Sequence, residues 1–252
     1  MIQAVREIPE ILVGIATVKP DKRFLESLPV FARDVESRKI AHLKFKWIWD
    51  KTLVEAQNLI AEEFLSGSFD YLLMIEDDHW GFTPDMLEAC LLANGDVSTI
   101  PYRNRHFPFD MIPMHYEKTD ENGVRRFTGL KFKDGFHEAD LCGFGFTLIK
   151  RSALEKLDSP KFRLNIDYYN GVGPHATDID FCYRIQQNGG KIIGCFDFLL
   201  NHRDIDEDIY KEMVLDGVLV KHSMFTRIKE IMLSRKVKKE DVSCLGMNMA
   251  QS

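Results

Sequence analysis

Apolar residues along the first eighty positions fall in blocks whose period changes from strand to helix and back. Ile11 to Val18 is an unbroken apolar run closed by Lys19-Pro20-Asp21. That is the pattern of a strand buried on both faces, since a half-exposed strand would alternate. Phe24, Leu25, Leu28, Phe31 and Ala32 then recur at helical spacing, with Pro29 inside the stretch. Leu43 to Trp49 reads as a second strand, and Leu53 to Leu65 as an amphipathic helix stopped by Ser66-Gly67. Asp70 to Ile75 is a third buried strand, and it runs directly into Glu76-Asp77-Asp78-His79. The pattern predicts a βαβαβ half-sheet that ends on an acidic cluster.

Downstream, Thr83 as N-cap, Pro84 at the first helical position and Asn94-Gly95 as a stop bracket another helix. A short strand over Asp96 to Ile100 follows it. Pro101 to Gly135 is rich in Pro, Gly, Asn and charge, with Asn122-Gly123 as the turn of a hairpin, and reads as an acceptor-side insertion. Leu141 to Lys150 is rich in Gly and Phe, and Ser152 with Glu155 forms a capping-box pattern. Asp178 to Gln187 predicts a helix stopped by Asn188-Gly189-Gly190, and Lys191 to Leu200 a strand that delivers Asn201-His202 at its end. From Glu207 onward the chain reads as helical and turns basic through Arg227, Lys229, Arg235, Lys236, Lys238 and Lys239.

Composition narrows this picture. With 252 residues and 45% hydrophobic content the chain can bury a full core, and one catalytic domain is the simplest organisation. A net charge of −6 argues against a nucleic-acid partner, because neutralising phosphates needs a surplus of Lys and Arg on one face. The five cysteines show no zinc spacing, and most sit in apolar runs as small hydrophobes. They read as reduced, which suggests a cytoplasmic location. Nothing approaches the roughly 20 consecutive apolar residues of a membrane span, and Met1 to Glu10 lacks the apolar stretch of a signal peptide. The basic C-terminal helix could make a peripheral membrane contact or a homodimer, although a solvated helix face is the simpler explanation.

Three consecutive carboxylates at the end of a buried strand repel one another, so they need solvent or a cation. In open α/β sheets ligands bind outside the carboxyl ends of the strands, which is where this cluster falls. The plain alternative is an acidic turn ahead of the helix at Thr83, whose N-terminus also favours negative charge.

The run Leu53 to Ala61, then Phe69 to His79, Gly143 to Arg151, Thr177 to Arg184, Asn188 to Ile192 and finally Asn201-His202 resembles family 2-like GT-A glycosyltransferases. The resemblance extends over residues 10 to 205. It implies a GT-A (Rossmann-like) α/β fold, a mostly parallel twisted sheet with helices on both faces and a small antiparallel insertion. Residues 1–205 would form this domain and 206–252 a helical C-terminal extension. Gln57 stands where the family usually has Arg, while Glu76 and Thr177 stand where Asp and Glu are common.

By the same resemblance Asp78 would ligate Mn²⁺ or Mg²⁺, with His202 completing the set and Glu76 beside the metal or the ribose. Asp77 would support that cluster, Asn58 follows the family's Arg position, and Thr17 and Lys19 would hold the nucleotide of a UDP- or GDP-sugar. The cation would stabilise the charge that builds on the leaving diphosphate. Asp178 would take the proton of a hydroxyl on a glycan or other acceptor, with inversion; its plain alternative is a helix N-cap. Gly143 and Gly145 would allow close backbone approach on the acceptor side, with an aromatic against a sugar. A nucleotidyltransferase, or a catalytically silent nucleotide- or carbohydrate-binding relative, remains open on the residues alone.

Overall fold

A computed structural model describes residues 8–103, 111–119, 125–129, 134–164 and 176–203. The first half alternates strand and helix as the apolar blocks dictate: β1 (Glu10–Thr17), α1 (Lys22–Ser37), β2 (His42–Trp49), α2 (Leu53–Ser66) and β3 (Tyr71–Glu76). A two-residue strand β4 (His79–Trp80), helix α3 (Pro84–Leu92) and strand β5 (Val97–Thr99) follow. The middle section holds β6 (Tyr102–Arg103), β7 (Met111–Ile112), β8 (Met114–Thr119), β9 (Arg125–Gly129) and β10 (Phe136–Ala139). The chain then forms β11 (Phe146–Lys150), α4 (Arg151–Glu155), α5 (Thr177–Gln187), β12 (Ile192–Cys195) and β13 (Asn201–His202).

Seven strands form one sheet in the order β10-β12-β5-β11-β3-β1-β2. β1 pairs in parallel with both β2 and β3, and β12 with β5, while β11 runs antiparallel between β3 and β5. Five strands thus share one direction, and β10 and β11 oppose it. The unbroken apolar runs have the predicted cause. On β1, Ile11, Val13 and Ile15 enter one core with Phe24, Phe31 and Leu87 of α1 and α3, while Leu12 faces the other with Ile60 and Phe64 of α2. On β3, Leu73 and Ile75 face the first core, and Leu72 and Met74 the second, where α4 and α5 also pack. Two covered faces leave no polar side on either strand. No helix among the described residues is long and apolar enough to cross a membrane.

Three local expectations differ. β12 ends at Cys195, and Asn201-His202 belongs to the separate strand β13, which pairs antiparallel with β4. The N-cap of α5 is Ala176, without a side-chain cap bond, so Asp178 sits inside the first turn. The capping box at Ser152 does not form either, because α4 begins one residue earlier and Lys150 occupies its N-cap. The Asn122-Gly123 turn and the basic C-terminal stretch lie outside the described residues; β8 and β9, which flank that turn, do pair antiparallel.

Arg151 fixes the far end of α2. Its Nε donates to the Phe69 carbonyl at 2.6 Å, and its Nη2 to the carbonyls of Phe64 and Gly67, both at 2.7 Å. The guanidinium also lies 4.7 Å over the Phe64 ring. A cation at a helix C-terminus satisfies carbonyls that have no intrahelical donor and complements the helix dipole. Arg151→Met keeps the stem and removes these bonds. It is expected to cost ~2–4 kcal/mol, read as a lowered midpoint in urea unfolding with unchanged slope.

Candidate metal centre and cavity

The centre is assembled where the chain leaves β3. Asp77 and Asp78 form a turn, β4 follows it, and β13 lies against β4 with His202 opposite His79 and Asn201 opposite Trp80. The Arg203 amide donates to the Asp78 carbonyl at 2.8 Å, closing the turn from the far side. Asp78 and His79, with His202 from more than 120 positions further along the chain, thereby present ligand atoms that all lie within 4.8 Å of one another.

The two imidazoles stack with centroids 4.2 Å apart and planes 6° from parallel. His79 Nδ1 stands 2.9 Å from Asp78 Oδ1, and His202 Nε2 stands 3.4 Å from Asp78 Oδ2. His202 Nδ1 lies 2.7 Å from the Arg103 carbonyl, which can only accept, so Nδ1 carries a proton and the ring is oriented with Nε2 towards Asp78. Burial alone would raise the Asp78 carboxyl, but the imidazoles of His202 and His79 outweigh it and hold the group well below the usual carboxylate range. One carboxylate with two imidazoles is a donor set for a first-row transition ion more than for Mg²⁺.

Two glycines are present because side chains of this centre fill the space a Cβ would take. A Cβ on Gly145 would meet Nε2 of His79 at 2.7 Å, and one on Gly143 would meet the Tyr102 hydroxyl at 1.8 Å. Tyr102 stands edge-on to both imidazoles, 4.5 Å from His79 and 5.4 Å from His202. Burial, and behind it the negative charges of Glu76 and Asp178, push its phenol well above the ordinary value. The Gly-Phe-Gly segment is therefore a close-approach device for the centre itself, and Phe144 between the glycines is buried.

Beside the centre lies a cavity of about 310 Å³ that contains Glu76 and Asp178. The first residues of α2 and α5, with Phe144 and Leu164, complete its lining. Asp178 Oδ1 accepts the Ile179 N–H at 2.9 Å, yet burial dominates and raises its carboxyl above the ordinary value. Glu76 opens into this cavity while keeping an oxygen 3.8 Å from His79 Nδ1.

The other predicted residues take varied positions. Thr17 is buried, and its hydroxyl donates to the Asp77 carboxylate in a very short bond. Burial, partly offset by that bond, raises the Asp77 carboxyl, and neighbouring Asp78 adds to the rise. Its carbonyl accepts the Asp21 amide, tying the cluster to the loop after β1. Lys19 is exposed on that loop, and its carbonyl accepts from Arg203. Asn58 spans α2 and the segment before Leu164: its amide donates to the Val54 and Phe162 carbonyls, and its oxygen accepts the Phe162 N–H. That side chain acts as a clamp between two elements of the cavity wall.

Sequence reasoning gave no role to His79, Tyr102 or Arg203. His79 could have been found from its position directly after the acidic run. Tyr102 carries no such signal, since only the folded chain brings it under the two imidazoles.

No known family profile matches the sequence, and no curated protein matches it. In solved structures, the chain is similar to GalNAc-T7, whose crystal structure holds UDP, GalNAc and Mn²⁺, with TM-score 0.54 and 12% identity. The match covers 78% of this chain and 44% of that one. A197 from STIV gives TM-score 0.49 at 18% identity, over 79% of this chain and 87% of that one. S. aureus TarS 1–349 gives 0.43 at 13%, over 96% and 75%. At these identities the likeness concerns the fold, and the fold is GT-A-like.

If this centre holds Mn²⁺ and Gly145 is kept small to seat the His79 ring, Gly145→Ala is expected to weaken that binding about tenfold or more, the usual size of an effect on a ligand's support. Mn²⁺ titration followed by electron paramagnetic resonance measures this directly.

Proposed function

We propose that this chain is a metal-dependent glycosyltransferase that moves a sugar from a nucleoside diphosphate donor, of the UDP- or GDP-sugar class, to a hydroxyl acceptor. Residues 1–205 form its catalytic domain. The observation that carries the reading is the juxtaposition of the Asp78, His79 and His202 ligand atoms with a cavity that holds Asp178 and Glu76.

In this reading Asp78 and His202 hold the cation, with His79 as a further ligand and Glu76 at its edge. Mn²⁺ suits the two imidazoles better than Mg²⁺. When bound, the cation offsets the negative charge that develops on the diphosphate as the glycosyl bond breaks. His202 is aimed for this by the Arg103 carbonyl, and Asp78 by the imidazoles on either side. Thr17 and Asp77 form one hydrogen-bonded pair at the ends of adjacent strands, a rigid floor for the nucleotide, with Lys19 on the loop above. Asp178 receives the proton of the attacking hydroxyl. A carboxyl raised by burial is a stronger base than a solvated one, and the Ile179 amide holds one oxygen so that the other faces the cavity. Attack on the sugar from the face opposite the leaving diphosphate would give inversion.

Melting temperatures measured across nucleoside diphosphates, with and without Mn²⁺, are expected to rise only where a nucleotide and the cation are both present. No rise with any nucleotide overturns the reading. Asp78→Ala is expected to abolish that rise and the Mn²⁺-dependent hydrolysis of the donor. Asp178→Asn should leave nucleotide binding intact and lower kcat by ~10²–10⁴-fold. Because Asp178 acts deprotonated and its pKa is raised, kcat/KM should climb with pH through a step above the ordinary carboxylate range. That step should vanish from the residual activity of Asp178→Asn.

A further inference from the structure

The described cysteines number four, and none is isolated. Cys142 and Cys182 are both buried, with sulfurs 3.6 Å apart. The Cys142 amide donates to the Cys182 sulfur at 3.3 Å, and the Cys182 thiol lies 3.5 Å from the Cys142 carbonyl, so the side chain of one rests on the main chain of the other. Cys90 of α3 and Cys195 at the end of β12 form a second buried couple, close enough that Cys195 helps to hold the Cys90 thiol protonated. One couple lies in each of the two cores flanking the sheet. Cys244 lies outside the described residues.

We propose that Cys142 and Cys182 are a disulfide-forming pair, in contrast to the reduced state that their apolar surroundings suggest in the sequence. Cys182 sits on α5 one turn after Asp178, and Cys142 immediately precedes the Gly143-Phe144 wall of the cavity. The bond would tie the helix that carries Asp178 to the Phe144 wall, across a sequence separation of 40. The chemistry is exchange with a small disulfide such as oxidised glutathione. One cysteine thiolate attacks it and expels a glutathione thiolate, which takes up a proton. The second cysteine then displaces the other glutathione, leaving the protein disulfide and two reduced glutathione molecules. Neither thiol is exposed, and the Cys182 sulfur together with burial keeps Cys142 protonated, so the exchange belongs to folding, before the core closes. The pairing is independent of the glycosyltransferase reading.

The full chain, unfolded and reduced, is refolded in a mixture of reduced and oxidised glutathione, and in parallel with dithiothreitol. The expected result is a peptide containing Cys142 joined to one containing Cys182, separable by reduction. The oxidised protein should melt ~5–10 °C above the reduced one, as loop closure of this size gives in a chain of this length. That difference should shrink in Cys142→Ala and in Cys182→Ala. The proposal is overturned if both cysteines are fully alkylated after oxidative refolding, or if Cys142 is joined to a different cysteine. The peptide map of the unaltered chain decides the matter even if a variant does not fold.

Discussion

A carboxylate that is nearly buried needs opposite charge or hydrogen bonds around it, and Asp78 meets two imidazoles, one from the next residue and one from more than 120 positions further along the chain. Much of the surrounding architecture follows from satisfying that group. β4 and β13 are only two residues each, too short to be stable alone, yet their pairing sets His79 against His202. The Arg103 carbonyl fixes the His202 ring, and the Arg203 amide fixes the turn that carries Asp78. Asp21 extends the network: it caps α1 through the Arg23 amide and also accepts from the Arg203 side chain, joining the loop after β1 to the residue after β13.

The same requirement explains the small residues facing the centre. The His79 imidazole and the Tyr102 phenol occupy the space that Cβ atoms at these positions would take. Gly143 and Gly145 leave that space open, while Phe144 turns between them into the aromatic cluster with Phe162 and Phe181. Packing in the second core and geometry at the candidate metal centre meet in three consecutive residues, Gly143 to Gly145. A change in that core reaches Asp178 by the same route, because Phe181 and Cys182 lie on its helix.

The sheet and its two covered faces were legible from the continuous apolar runs of β1 and β3, since a two-sided core admits no polar position. The acidic cluster was legible too, as a chemically unstable run at the end of a buried strand. His202 was expected at the end of one long strand over Lys191 to Leu200. β12 instead stops at Cys195, and the chain crosses five residues before pairing with β4. A two-residue strand has no periodicity to detect, and its partner lies more than 120 positions away. Asp178 suited both an N-cap and a base; the cap falls on Ala176, and the carboxylate lines the cavity.

By itself the sequence determined which segments must be buried on both sides, where β1 and β3 end, and that Glu76, Asp77 and Asp78 would gather negative charge at the carboxyl edge of the sheet. These are consequences of local pattern: side-chain period, chain stops, and the repulsion of adjacent carboxylates. Only the tertiary structure decided which groups meet that charge. His79, His202 and Tyr102 converge through strand pairing and glycine vacancies that no window of sequence contains, because contact between distant residues is settled by packing and not by neighbourhood along the chain.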